Sequence, residues 1–323
     1  MVDAVVIGAG IAGASAARVL HDAGLGVVVV EKARGPGGRM ATRHSPEGDF
    51  DHGAQYFTAR DPRFRGWLEG AVARGAAARW PAADGGEMDG QAWVGTPGMN
   101  ALAADLLAGI GLRTGVRVAR MERGSGQWRL FDPDGGVIAA APLLVVSAPA
   151  PQAVDLLQGH GALAARLGQA AYAPCWALLV AVRGAARPQA ALGRLAGGDI
   201  AWWALDSDKP GRTGEAATLV VHASEAYSRR QLEASPESVV ADLLPQLPGL
   251  TGLPQDAVLG ASAHRWRFAR VTRALGEPAL LDAETGVAVV GDACLGPRVE
   301  SAWLSGYLGA QRLLDARRAP GPV

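Results

Sequence analysis

Ala4-Val5-Val6-Ile7-Gly8-Ala9-Gly10-Ile11-Ala12-Gly13 begins the most legible unit of the chain, and Val27-Val28-Val29-Val30-Glu31 ends it. A short apolar run, a glycine turn, a small-residue helix from Ile11 to about Ala23 and a second apolar run spell a β-α-β unit. The glycines at 8, 10 and 13 suit a dinucleotide: one for the tight turn, one for close approach to a pyrophosphate, one for helix-to-strand packing. Ile11 and Ala12 bring the amides of the first helical turn toward that anion. Glu31, eighteen residues after Gly13, ends the second strand, where its carboxylate accepts hydrogen bonds from ribose hydroxyls. At this point the nucleotide is NAD or FAD.

Beyond Glu31 and Lys32, residues 33–60 are polar, glycine-rich and too irregular for an ordinary connection, as ligand-touching loops are. They contain Gly37-Gly38-Arg39-Met40-Ala41-Thr42, which sets a flexible turn, a guanidinium and a hydroxyl beside the expected pyrophosphate. An NAD dehydrogenase has no need of such a segment, so FAD is preferred. Further on, Leu143 to Ser147 and Val287 to Val290 read as buried strands returning to the first sheet, and a last helix runs from about Val299 to Asp315. Alternating runs at Trp176 to Val182, Ile200 to Leu205, Thr218 to His222 and Val258 to Arg267 suggest a second, largely antiparallel sheet. The expected fold is α/β, a Rossmann-type FAD-binding domain interleaved with a mainly antiparallel β-sheet plus helices as substrate domain. Residues 1–80, 95–150 and 285–316 are assigned to the first, 81–94 and 151–284 to the second.

The 323 residues suffice for two cores, and 31 Lys and Arg against 31 Asp and Glu give no net charge to favour nucleic acid or an anionic membrane. A small-molecule substrate is expected. Cys175 and Cys294 stand far apart without CxxC spacing, which fits a reducing cytoplasm and excludes a disulfide framework. No basic leader precedes Ala4, and no apolar stretch approaches the roughly 20 residues of a spanning helix. Neither a metal-binding nor a Gly-x-Ser-x-Gly pattern occurs.

The early glycine turn and acid, the GGR segment, and the late Val290-Gly291-Asp292 followed by a helix resemble the FAD-dependent amine oxidase and desaturase superfamily. More narrowly, Gly38 to Thr42, Asp51-His52-Gly53-Ala54-Gln55-Tyr56-Phe57, Asp206-Ser207-Asp208-Lys209, Val221-His222 and Arg265-Trp266-Arg267 resemble renalase and its bacterial relatives. The resemblance implies non-covalent FAD held by Gly8, Gly10, Ile11, Ala12, Gly13, Glu31, Lys32, Gly38, Arg39, Met40, Thr42, Gln55, Val118, Asp292, Arg298, Val299 and Ala302. Asp292 would bind ribityl hydroxyls, and the last helix would aim its positive end at flavin N1 and the C2 carbonyl. It also implies oxidation of 2- and 6-dihydro isomers of NAD(P)H to NAD(P)+, with dioxygen reoxidising the flavin to give hydrogen peroxide.

Such a donor becomes an aromatic pyridinium on losing hydride, so its site needs stacking and orientation more than a base. Tyr56, Trp203, His222 and Trp266 are the expected catalytic contacts. Of Trp202 and Trp203 only one can face the cleft, because neighbours on a strand point to opposite faces. Arg265 and Arg267, at period two, share a face on which they meet either a substrate diphosphate or solvent. Cys294 reads as a buried thiol rather than a flavin linkage. The alternatives are an amine or amino-acid oxidase on the same scaffold and a non-catalytic FAD-binding protein. Lys209, the only lysine outside the nucleotide region, reads as part of a surface turn, which disfavours the amine oxidase, whose relatives commonly keep a lysine near the flavin.

Overall fold

The computed structural model describes residues 2–81, 91–188 and 190–318. Strand β1 (Ala4–Ile7), helix α1 (Ile11–Asp22) and strand β2 (Val27–Val30) form as the apolar periodicity requires, the strands wholly or largely buried. β3 (Gly111–Arg113) and β4 (Leu143–Val146) extend the sheet on either side. Among the described residues the first sheet has the order β10 (Leu280–Asp282), β11 (Val287–Val289), β4, β1, β2, β3, parallel except for the β10–β11 hairpin. The chain thus rejoins this sheet at Leu280, ahead of the expected 285.

The second sheet is antiparallel and runs β6 (Leu192–Arg194), β7 (Ile200–Leu205), β8 (Ala217–Ala223), β5 (Ala171–Val182), β9 (Val258–Arg273). Its side chains sort by strand period. Trp176, Leu178 and Val180 of β5, Trp203 and Leu205 of β7, and Leu219 and Val221 of β8 share a core with Val239 and Leu243 of helix α3 (Pro236–Leu243). The opposite face meets the hairpin Thr42–Ser45/Gly48–Asp51, whose Phe50 packs on Leu179, Ala181 and Val220. Residues 42–51, expected to belong to the nucleotide domain, therefore lie on the substrate sheet. Of the segment 81–94, residues 82–90 lie outside the described residues, while Trp93–Gly95 pairs with Ala77–Arg79.

Helix α2 (Pro62–Ala73) sets Phe64 edge-on to Trp303 of the last helix, α4 (Val299–Arg318). α4 also lies against α1, where a Cβ on Gly306 would overlap the Ala12 carbonyl and the Ser15 hydroxyl donates to the Trp303 carbonyl at 3.0 Å. No described helix is long and apolar enough to cross a membrane. Gly306→Ala is expected to lower unfolding free energy by about 1–3 kcal/mol through overpacking. Gly66→Ala in α2, where a Cβ meets nothing within 4 Å, should instead raise it by about 0.5–1 kcal/mol. Urea melts of the two variants check both signs.

Candidate active site

Between the two sheets lies one continuous cavity of about 1400 Å³, larger than the roughly 300–1,000 Å³ of a pocket for one drug-sized ligand. At one end the fingerprint turn forms its wall. Gly8, at φ 100°, needs the left-handed region, and its amide donates to the Val30 carbonyl at 2.8 Å. The Cβ direction of Gly10 is open, so a ligand can approach that backbone closely. α1 carries no acid in its first turn, leaving its positive end uncompensated. Gly13 stands off the cavity: a Cβ there would overlap the Gly8 carbonyl, so its place in the motif is packing.

Glu31, 6% exposed, accepts from Ala9 N–H through Oε2 and from Ala33 N–H through Oε1, both at 2.7 Å. Two short charge-assisted bonds fix the carboxylate while its remaining lone pairs border the cavity. Val116 N–H donates to the Glu31 carbonyl at 3.0 Å, which brings the wall residues Val116 and Val118 beside it. Lys32 reaches Gln152 at 2.8 Å across the rim.

Further along, Arg39 holds Asp292 in a bidentate pair at 2.5 and 2.7 Å, and the Tyr172 hydroxyl donates to the same carboxylate at 3.3 Å. Burial and the neighbouring Asp292 charge push the Tyr172 phenol well above its usual range. Gly38, Met40, Arg298, Val299 and Ala302 also line the cavity. Ser147, which the sequence reading missed, lines it too and donates to the Ile7 carbonyl at 2.8 Å. Its signal was a small polar residue at the end of a strand parallel to β1. Thr42 departs from expectation: its hydroxyl turns from the cavity to Asp51 Oδ1 at 2.7 Å, because that buried carboxylate outcompetes an exposed position.

The far wall belongs to the second sheet. Trp202, His222, Ala177 and His264 form one cross-strand row over β7, β8, β5 and β9, and Trp202, His222 and His264 of that row line the cavity. The structure therefore corrects Trp203: beyond the register irregularity between Ile200 and Trp202, Trp203 and Leu205 belong to the α3-side core, and Trp202 is the tryptophan at the cavity. Trp266, Phe268 and Tyr56 complete this wall. Trp266 stacks on His52 at 5.0 Å between ring centroids and donates to the His52 carbonyl at 2.8 Å. Arg265 and Arg267 also border the cavity, with their guanidinium groups paired to Glu233 at 2.8 and 2.7 Å.

The imidazoles here are neutral. Burial, with the neighbouring His264 and Arg43, lowers His52 to about 3. Burial lowers His222 to about 4 and, aided by Arg43, His264 to about 4. At neutral pH these rings offer stacking surface and hydrogen bonds and are weak bases. Burial pushes the Cys175 thiol to about 12 and Cys294 to about 11, which makes both poor nucleophiles.

Lys209 reverses its expected place. It is 2% exposed, beneath the cavity wall, donating to Gln55 Oε1 at 3.1 Å and to Asp51 at 3.3 Å, and paired with Asp206. The polar turn folds inward because the buried carboxylates of Asp51 and Asp206 pair with both Lys209 and Arg212. Gln55 borders the cavity, its amide oxygen turned back to Lys209.

A glycine fingerprint with an anchored carboxylate beside it, joined by one cavity to a wall of aromatic and imidazole rings, is the frame of a flavin-dependent oxidoreductase. Residues 77–314 match the family described as flavin containing amine oxidoreductase, and residues 6–70 match the NAD(P)-binding Rossmann-like domain. The chain belongs to the flavin-containing amine oxidoreductase family, and it is an enzyme of that flavin-dependent class. Solved structures share its fold at low identity. A protein described as a protoporphyrinogen oxidase, from Exiguobacterium sp. 255-15, is 14% identical, with a TM-score of 0.75 over 97% of this chain and 99% of that one. Cyclohexylamine oxidase from Brevibacterium oxydans IH-35A is 16% identical, with a TM-score of 0.71 over 98% of this chain and all of its own (100%). A redesigned putrescine oxidase is 11% identical, with a TM-score of 0.71 over 97% and 98%.

Trp203→Ala is expected to cost about 3–5 kcal/mol of stability while leaving flavin affinity unchanged. Trp202→Ala should shift the visible band of bound flavin. Denaturation and flavin titration of the pair check the assignment of faces.

Proposed function

We propose that the chain holds FAD non-covalently and oxidises a dihydronicotinamide, as the renalase-like motifs imply, with 2- and 6-dihydro-NAD(P) as donors and dioxygen as acceptor. The residues fit that cofactor: the open backbone at Gly10, the anchored carboxylate of Glu31 and the Arg39–Asp292 pair offer, in turn, an anion cradle, a ribose acceptor and polar partners for a ribityl chain. When bound, FAD supplies a hydride acceptor at N5 that dioxygen restores with release of hydrogen peroxide.

The observation that carries the choice of donor is the wall of Trp202, His222, His264 and Trp266, aromatic rings joined by imidazoles held neutral. These side chains orient a flat ring and exclude water, while none of them is a strong base at neutral pH. A dihydronicotinamide asks for no more, because aromatisation drives its loss of hydride. Tyr56, whose hydroxyl accepts from Arg194 at 2.7 Å, closes the same end. The family match and the fold shared with cyclohexylamine and putrescine oxidases favour a second reading, an amine oxidase.

Anaerobic stopped-flow against 2-, 4- and 6-dihydro-NAD(P) and a panel of amines separates the two. Rapid flavin bleaching by the 2- and 6-dihydro isomers is expected, at a rate flat from pH 5.5 to 8, since His222 and His264 titrate at about 4. Bleaching by amines alone, rising with pH as the neutral amine forms, would instead establish the second reading. Glu31→Ala should raise the Kd for FAD about 10–100-fold, by loss of roughly 1–3 kcal/mol of charge-assisted hydrogen bonding; equilibrium dialysis reads it.

A further inference from the structure

Behind the cavity wall lies a charged cluster that the proposed reaction does not use. The side chains of Lys209, Asp51 and Asp206 are wholly buried, and Arg212 nearly so. Two acids face two bases, a match in number that suits an apolar interior, and burial together with the neighbouring Asp51 charge raises the Asp206 carboxyl. Burial alone would raise Asp51, but Lys209 and Arg212 outweigh it and hold the carboxyl below its usual range. Asp206 also accepts from the Asp51 amide at 3.0 Å, and Asp51 from the Met99 amide at 2.9 Å. Arg212 donates to the Gly95 carbonyl at 3.1 Å. The cluster thereby ties the turn after β7, the end of the hairpin and the approach to the helix Ala101–Leu106.

Lys209 carries this cluster to the cavity. Its Nζ donates to Gln55 Oε1 and lies 5.5 Å from the centroid of the Trp80 ring, which in turn lies 6.5 Å from Tyr56. With its oxygen held by the ammonium, the Gln55 amide can only turn its Nε2 to the carbonyls of Asp51 and Gly53. Ala54 N–H meanwhile donates to the Arg39 carbonyl at 2.8 Å. The stretch from Gly53 to Tyr56 is thus pinned from behind by Lys209 and in front by the GGR segment.

We propose that Lys209 is a positioning residue: through Gln55 it fixes the Gly53–Tyr56 wall against which the flavin lies. The proposal rests on the reading above that FAD occupies the cavity. A purely structural salt bridge would affect stability alone, and charge-balanced removal separates the two roles. FAD Kd by fluorescence quenching, the visible flavin spectrum and the thermal midpoint are measured for wild type, Lys209→Met/Asp206→Asn, Gln55→Leu and the triple variant.

The balanced double variant is expected to melt within a few degrees of wild type yet bind FAD about tenfold more weakly with a shifted visible band. Gln55→Leu should do the same, and the triple variant should be no worse than either, as members of one chain of contacts are non-additive. An unchanged Kd and band in either variant, or losses that multiply in the triple, overturns the proposal. Should the double variant fail to fold, Gln55→Leu decides alone, because it leaves all four charges in place. A wild-type protein that takes up no FAD overturns the occupancy of the cavity as well, whereas a yellow wild type matched by its variants overturns only the role of Lys209.

Discussion

The close approach of two helix backbones is the constraint from which the rest of this molecule follows. α1 and α4 meet at Gly306, where any side chain would occupy the Ala12 carbonyl, and α1 meets the strand-end turn at Gly13, where any side chain would occupy the Gly8 carbonyl. These contacts bring both helix N-termini to one cavity, α1 behind the fingerprint turn and α4 behind Arg298 and Val299. A helix end is a fixed partial positive charge that costs no reorganisation when an anionic group arrives. Ser305 extends the same packing to the chemistry: its hydroxyl accepts from Gly291 N–H at 2.8 Å and donates to the Pro278 carbonyl at 2.6 Å, so α4 also sets the turn that carries Asp292.

Given that frame, the strand period of the second sheet, with one register irregularity in β7, sets which residues face the cavity. Trp202 and Trp203 differ in surroundings because they differ in parity: one joins His222 and His264, the other Leu219, Val221 and α3. The same alternation commits Arg265 and Arg267 to Glu233 and leaves Trp266 between them to stack on His52. Burying imidazoles along that row holds them neutral, and the wall is consequently aromatic in character even where its residues are titratable.

The local part of this was legible in the sequence. β1, α1 and β2 follow from apolar periodicity and a glycine turn, and Glu31 follows from its distance to them, because each signal lies within one unit of about thirty residues. What the sequence hid was parity and pairing across long separations. The tryptophan facing the cavity depends on a register irregularity between Ile200 and Trp202. The burial of Lys209 depends on Asp51, more than 150 residues away, and a run such as Asp-Ser-Asp-Lys-Pro-Gly looks like solvent-facing polarity until its partners are known. Thr42 is misjudged for the same reason, its hydroxyl serving that same Asp51.

The interleaving of the two domains also has an energetic logic. Arg39 comes from the loop after β2, Asp292 from the end of β11, and the Phe268 and Ala269 carbonyls that Arg39 faces at 3.4 Å from β9. A guanidinium donates through a planar fork to several acceptors at once, so one side chain can hold three distant segments at fixed angles. Its bidentate bond leaves it little freedom to lose when a ligand binds, and preorganisation of that kind raises affinity without new contacts. Lys209 does for the rear of the wall what Arg39 does for the front. A lysine suits that position because its ammonium can donate to Gln55, Asp51 and Asp206 together, three acceptors arranged around one point rather than in a plane.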